Sequence, residues 1–69
     1  MFNRNKFRAQ VMLAGKTFKE VAEYLEINEA TLYRKVQDDG RFTRQEIVKL
    51  IKFLSIDDPE SIFFADELA

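Results

Sequence analysis

The sequence contains no cysteine and no histidine. Without cysteine there can be no disulfide, no thiolate nucleophile and no cysteine-ligated zinc, and without histidine the commonest general base and metal ligand are missing. The two serines, Ser55 and Ser61, therefore have no histidine to activate them. We expect a protein that is not an enzyme and that uses no metal, cofactor or small-molecule ligand.

Long apolar segments are also missing. No run approaches the roughly 20 residues that a membrane-spanning helix needs, and no charged-then-apolar leader opens the chain. The 69 residues, of which 46% are hydrophobic and 33% charged, have the composition and length of one globular domain covering 1–69. These features predict a cytoplasmic protein without a membrane partner.

The charges are distributed unevenly along the chain, although the net charge is only −1. Residues 1–44 carry nine basic and six acidic side chains, whereas residues 45–69 carry two basic and six acidic ones. Such a chain can present a basic face while remaining acidic overall. This pattern favours a selective contact with a polyanion over indiscriminate coating of nucleic acid.

Glycine and proline are scarce, with two and one, and the apolar residues follow helical spacing rather than strand-like alternation. Start signals are clear: two capping boxes open at Thr17 and Thr43, and Asp58 precedes a proline. The sequence therefore predicts an all-α bundle of five short helices. Their approximate ranges are 4–14, 18–25, 29–37, 44–54 and 59–66.

The second and third predicted helices are joined by about three residues, and the small Ala22 lets them approach closely. The third helix has a short inward stripe of Leu32 and Val36. Its opposite side carries Ala30, Arg34 and Gln37, with Tyr33 flanking. A helix held by the core on one side and free on the other is what a DNA major groove accepts.

The segment TFKEVAEYLEINEATLYRKVQ resembles the helix-turn-helix of the Cro/repressor-type (XRE) DNA-binding family, whose fold is lambda-repressor-like. The following RFTRQEIVKLIKFLSIDDPESIFFADELA resembles small phage Cro-like regulators of Firmicutes. Together the two segments cover nearly the whole chain. The resemblance implies a sequence-specific regulator of transcription that binds double-stranded DNA. It further implies a phage or prophage Cro-like repressor that acts as a homodimer on a palindromic operator.

The resemblance and the helix geometry together give two sets of candidate residues. The expected base-contacting residues are Asn28, Glu29, Ala30, Tyr33, Arg34 and Gln37. The expected phosphate-contacting residues are Lys16, Thr17, Lys19, Arg41, Thr43 and Arg44. Three positions depart from the family pattern: Glu26 replaces a turn glycine, Phe18 a frequent glutamine, and Lys35 a commonly apolar residue. Glu26 must then accept a positive φ, or the turn must differ.

Several of these residues have an ordinary structural interpretation as well. Arg34 can be a surface arginine paired with Asp38, and Glu29 can complement its helix N-terminus rather than a cytosine. Asn28 can act first as a helix cap.

The seven phenylalanines are interpreted mainly as core, with Phe7, Phe18, Phe42 and Phe63 beside inward stripes. Phe53 and Phe64 fit less well, and together with Leu68 they form a possible dimer surface. Leu13 likewise lies off the stripe of its helix, and an exposed apolar residue of this kind can mark such a surface. They can equally be scattered exposed apolar residues. The alternative function is a protein-interaction module, antirepressor-like, that binds another regulator instead of DNA.

Overall fold

The computed structural model describes residues 2–65, and this part of the chain contains five α-helices and no strand. The helices are α1 (Arg4–Leu13), α2 (Phe18–Leu25), α3 (Glu29–Gln37), α4 (Arg44–Phe53) and α5 (Pro59–Phe63). The all-α prediction is confirmed. Helices α1 and α4 each end one residue earlier than predicted, because Ala14 and Leu54 serve as C-caps. The predicted end of the last helix, residue 66, lies outside the described residues.

Every helix begins at a polar side chain that caps a backbone N–H three residues later. The caps are Asn3, Thr17, Asn28, Thr43 and Asp58. In both predicted capping boxes the threonine hydroxyl accepts from the glutamate N–H at 3.1 Å, and the glutamate side chain accepts from the threonine N–H. These local bonds set the helix starts without help from the rest of the fold.

The core combines aliphatic residues of all five helices with a cluster of phenylalanine rings. Phe2 lies within this cluster, 5.4 Å from the ring of Phe7, 5.8 Å from that of Phe63 and 5.9 Å from that of Phe42. It is only 7% exposed. Phe2 has no role that the sequence pattern predicts, because it precedes the first helix and belongs to no periodic stripe.

Hydrogen bonds donated by two backbone N–H groups fix this N-terminal segment between two distant parts of the chain. The Asn3 N–H donates to the carbonyl of Ile62 at 2.7 Å, and the Phe2 N–H donates to Asp39 Oδ1 at 3.2 Å. The start of α1 is thereby attached both to α5 and to the loop after α3. Within residues 2–65, no helix is long and apolar enough to cross a bilayer.

Candidate nucleic-acid interface

Helices α2 and α3 pack against each other through small and aliphatic side chains. Val21 and Ala22 of α2 are almost fully buried, as are Leu32 and Val36 of α3. The turn between the helices begins at Glu26, which has a φ of 60° and a ψ of 38°, and the Ile27 N–H donates to the Ala22 carbonyl at 3.0 Å. Glu26 thus has a positive φ, which is one of the two outcomes expected from the sequence. The left-handed conformation is strained for a glutamate, whereas glycine would adopt it without strain.

The opposite side of α3 faces solvent. Exposed residues are Asn28, Glu29, Ala30, Tyr33, Arg34 and Gln37, which are all six predicted base-contacting positions. Asn28 is also the helix cap, and its Oδ1 accepts from the Thr31 N–H at 2.7 Å. The Asp38 carboxylate pairs with Arg41 at 3.2 Å rather than with Arg34. Within residues 2–65 the Arg34 guanidinium has no ion-pair or hydrogen-bond partner.

Two of these exposed side chains are held in place by neighbours. The Tyr33 ring stacks on Phe18 of α2, with centroids 4.9 Å apart and planes 27° apart, and it remains 42% exposed. Gln37 Oε1 accepts from Arg4 Nη1 at 3.1 Å. Sequence reasoning missed Arg4, since 33 residues separate it from Gln37. Its only sequence signal was membership of the basic N-terminal part.

The first group of phosphate candidates surrounds the start of α2. A shallow groove of about 350 Å³ brings Lys16, Thr17 and Phe18 next to Tyr33, and Arg8 of α1 lines it as well. Arg8 was not among the predicted phosphate-contacting residues. Its position along α1 does not show that it lies near α3, because that proximity arises only when the helices pack together. Lys19 is exposed on the first turn of α2. Three cationic side chains therefore lie around one end of the α2–α3 pair.

Lys16 also makes a contact on another side. Its ammonium lies 4.9 Å from the centroid of the Phe53 ring, and that ring stacks on Tyr24 at 4.2 Å. Phe53 is therefore half-buried at the end of α4. Of the other predicted dimer residues, Phe64 is 41% exposed, and Leu68 lies outside the described residues.

The second group of phosphate candidates follows α3. Arg41 is exposed and pairs with Asp38, Thr43 caps α4, and Arg44 is exposed on the first turn of α4. No ion pair involves Arg44 among the residues described. Arg44 and Arg34 therefore supply charge that the neighbouring carboxylates do not neutralise.

Lys35 attaches α3 to α4 by a partly buried ion pair. Its ammonium lies 3.2 Å from Glu46 Oε1, and the two side chains are 23% and 15% exposed. Burial raises the pKa of the Glu46 carboxyl, but the hydrogen bond from the Thr43 N–H and the adjacent Lys35 ammonium together outweigh it. The pKa is consequently lowered from its ordinary value of 4.5. A charged pair thus occupies the position where the resembled family commonly has an apolar residue.

The lowered pKa predicts how stability depends on pH. A depressed carboxyl pKa stabilises the fold above the unfolded-state pKa, and that contribution is lost as the pH falls through the folded-state value. We expect Glu46→Gln, which retains an acceptor for the cap, to lower the free energy of unfolding by about 0.5–1 kcal/mol at pH 7. The difference from the parent protein should shrink as the pH falls below 4.5. Urea unfolding at a series of pH values measures both quantities.

The matched control is Glu20→Gln. Glu20 occupies the same place in the other capping box, and no lysine pairs with it within residues 2–65. Its substitution should cost less at pH 7. Equal losses for the two variants at every pH would contradict a stabilising role of Lys35.

The described residues contain no cluster of three or more histidine, cysteine or acidic side chains that could hold a metal ion. The exposed face of α3 lies beside the cationic side chains of Arg8 and Lys16, which line the groove next to Tyr33. Comparison with protein-family models, with curated proteins and with solved structures found no match.

Proposed function

We propose that this chain binds double-stranded DNA sequence-specifically and regulates transcription, in the manner of a phage or prophage Cro-like repressor. The proposal rests on one observation, which is that α3 is buried on one side and exposed to solvent on the other. Leu32 and Val36 attach one side to the core with 0% and 2% exposure, and the other side presents only solvent-exposed residues. Such a helix can enter a major groove without uncovering the core.

The α2–α3 pair acts in this proposal as a helix-turn-helix. Support comes from the short left-handed turn at Glu26, from the small Ala22 at the helix contact and from the Asn28 cap that starts α3 directly after the turn. Lys49 Nζ lies 4.0 Å from Glu26 Oε2, so that α4 also contacts the turn. A fixed turn matters because base readout requires a fixed position of α3 relative to the phosphate contacts.

Different residues serve different parts of the contact. Arg34 is proposed to pair with a guanine through its O6 and N7, and the exposed Glu29 to accept from cytosine or to exclude other bases. Lys19 and Arg44 are proposed to contact phosphates on either side of α3, with Arg8 and Lys16 extending the contact along the groove beside Tyr33. Phosphate contacts give affinity, and base contacts select the sequence.

One domain reads only a few base pairs, so useful specificity needs two copies on a palindromic operator. The experiment that tests the proposal is selection from a random duplex DNA library at near-physiological salt, followed by sequencing. We expect a short palindrome whose half-sites lie about 34 Å apart or a multiple of that distance. Enrichment of a single unrepeated half-site would retain DNA binding but reject the operator-bound dimer. No enrichment would reject the proposal and favour the antirepressor-like protein-interaction module.

Two alanine substitutions separate base readout from phosphate contact. Arg34→Ala should weaken binding to the selected site by about 1–3 kcal/mol and relax the base preference at one position. Arg44→Ala should weaken binding to all sequences similarly and reduce the slope of log K against log salt by about one. Titrations of labelled duplexes at several salt concentrations measure both effects.

The control is Lys52→Ala, which removes one exposed positive charge from the last turn of α4. It should leave both specificity and salt slope nearly unchanged. If all three variants lost affinity equally, net charge alone would explain the binding, and the assignment of α3 as the reading helix would be wrong.

A further inference from the structure

A shallow groove of about 260 Å³ lies between α1 and the segment that contains α5. Its apolar lining comes from Ala9 and Leu13 on the α1 side and from Ile56 and Ile62 on the opposite side. Leu13 is 80% exposed, which is unusual for a leucine next to an apolar groove, and Met12 beside it is 79% exposed. Covering Leu13 and Met12 would remove apolar area from water and thereby favour association.

The two rims of the groove carry opposite charges. Lys6 lies on the α1 rim, and Asp57 and Asp58 lie on the opposite rim. Lys6 and Asp57 are exposed, and neither forms an ion pair within residues 2–65. Asp58 differs, because its Oδ1 accepts from the Ser61 N–H as the cap of α5.

We propose that this groove is the contact surface between two copies of this chain, related by a twofold axis that runs along the groove. Rotation about such an axis exchanges the two rims, so that Lys6 of each copy faces Asp57 of the other. The exposed Leu13 of each copy then enters the groove of its partner, where Ile56 and Ile62, only 6% and 4% exposed, form the opposite wall. A surface with one basic and one acidic rim is self-complementary, as a twofold contact requires.

This surface includes Leu13, which the sequence already marks as lying off the stripe of its helix, but neither Phe53 nor Phe64. The Phe53 ring stacks on Tyr24, and the Lys16 ammonium lies over the same ring. These contacts reduce the surface of Phe53 that another molecule can reach. Leu13, by contrast, has four-fifths of its surface in solvent. The inference does not depend on DNA binding, and it is tested without DNA.

Sedimentation equilibrium of the full chain provides the measurement. The mean mass should rise from 8.1 kDa toward twice that value between about 10 µM and about 1 mM, the range expected for a small interface. Lys6→Glu would place a glutamate opposite Asp57 at both symmetry-related positions of the contact. Asp57→Lys would likewise place a lysine opposite Lys6 at both positions. Each should weaken association by about tenfold or more, and the double variant should restore it.

The charge exchange distinguishes the interface from a loss of folding, because a destabilised chain would not regain association on a second substitution. Leu13→Ser should also weaken association, whereas Lys52→Glu, an exposed charge reversal outside the groove, should not. A mass of 8.1 kDa at every concentration would overturn the proposal. So would a dimer that is insensitive to Lys6 and Asp57, or a double variant weaker than either single one.

Discussion

Phe7→Ala is expected to lower the free energy of unfolding by about 3–5 kcal/mol, a large part of the roughly 3–10 kcal/mol available to a chain of this length. The Phe7 side chain is 0% exposed, and its ring lies 5.4 Å from that of Phe2 and 5.8 Å from those of Phe18 and Phe42. Truncation removes the apolar area of the ring and leaves a cavity shared by three other aromatic side chains. Because these rings come from separate parts of the chain, the neighbours cannot refill the space without shifting the backbone segments that hold them.

Urea unfolding followed by far-UV circular dichroism at low protein concentration gives the free energy. Met12→Ala is the matched control, since Met12 lies on the same helix but is 79% exposed, and its substitution should change stability by less than about 0.5 kcal/mol. Phe7→Leu should lie between the two. A loss below about 1 kcal/mol for Phe7→Ala would contradict the central role of the aromatic cluster.

Gly40→Ala is expected to cost about 2–4 kcal/mol for two separate reasons. Gly40 has a φ of +65°, which an alanine adopts only with strain. An added Cβ would in addition overlap the side chain of Phe2, which is buried in the aromatic cluster, so that displacing it would expose an apolar ring. The loop after α3 therefore depends on the close approach of one ring to a residue without a side chain.

Substitution of Gly15 separates the cost of backbone strain from the cost of the contact with Phe2. Its φ of +70° is nearly the same, but nothing lies within 4 Å of the position of its Cβ, so Gly15→Ala should cost only the strain of about 1 kcal/mol. In a Phe2→Gly background, which removes both the ring and the Phe2 Cβ that would lie 2.7 Å from the added Cβ, the cost of Gly40→Ala should fall toward that of Gly15→Ala. Equal costs of the two glycine substitutions in the parent protein would reject the contact with Phe2 as a cause.

The starts of the helices could be predicted from the sequence because their determinants are local. A cap such as Thr17 or Thr43 bonds a backbone N–H only three residues away, so its effect does not depend on the rest of the fold. The buried stripes of α2 and α3 were also predictable, since helical spacing alone puts Leu32 and Val36 on one face. The exposure of the six proposed base-contacting positions follows from the same geometry.

The contacts between elements could not be predicted in this way. Phe2 is part of the core, and Arg4 donates to Gln37. Arg8 lines the groove beside Tyr33. No sequence motif pairs any of these residues with the residues it contacts. Lys35 likewise found Glu46 only because α3 and α4 pack together. Contacts of this kind depend on the relative positions of several helices in the folded chain. The periodic pattern of a single helix does not specify those positions.

The number, starts and buried faces of the helices in residues 2–65 thus follow from local sequence, because hydrogen bonds across three residues and a period of about 3.6 residues are properties of a short segment. Which side chains support α3, and which apolar side chains stay exposed, depends on how the helices pack against one another. Phe18 under Tyr33 and Leu13 beside the groove show why: both are apolar residues of helices, and packing buried part of one and left the other in solvent.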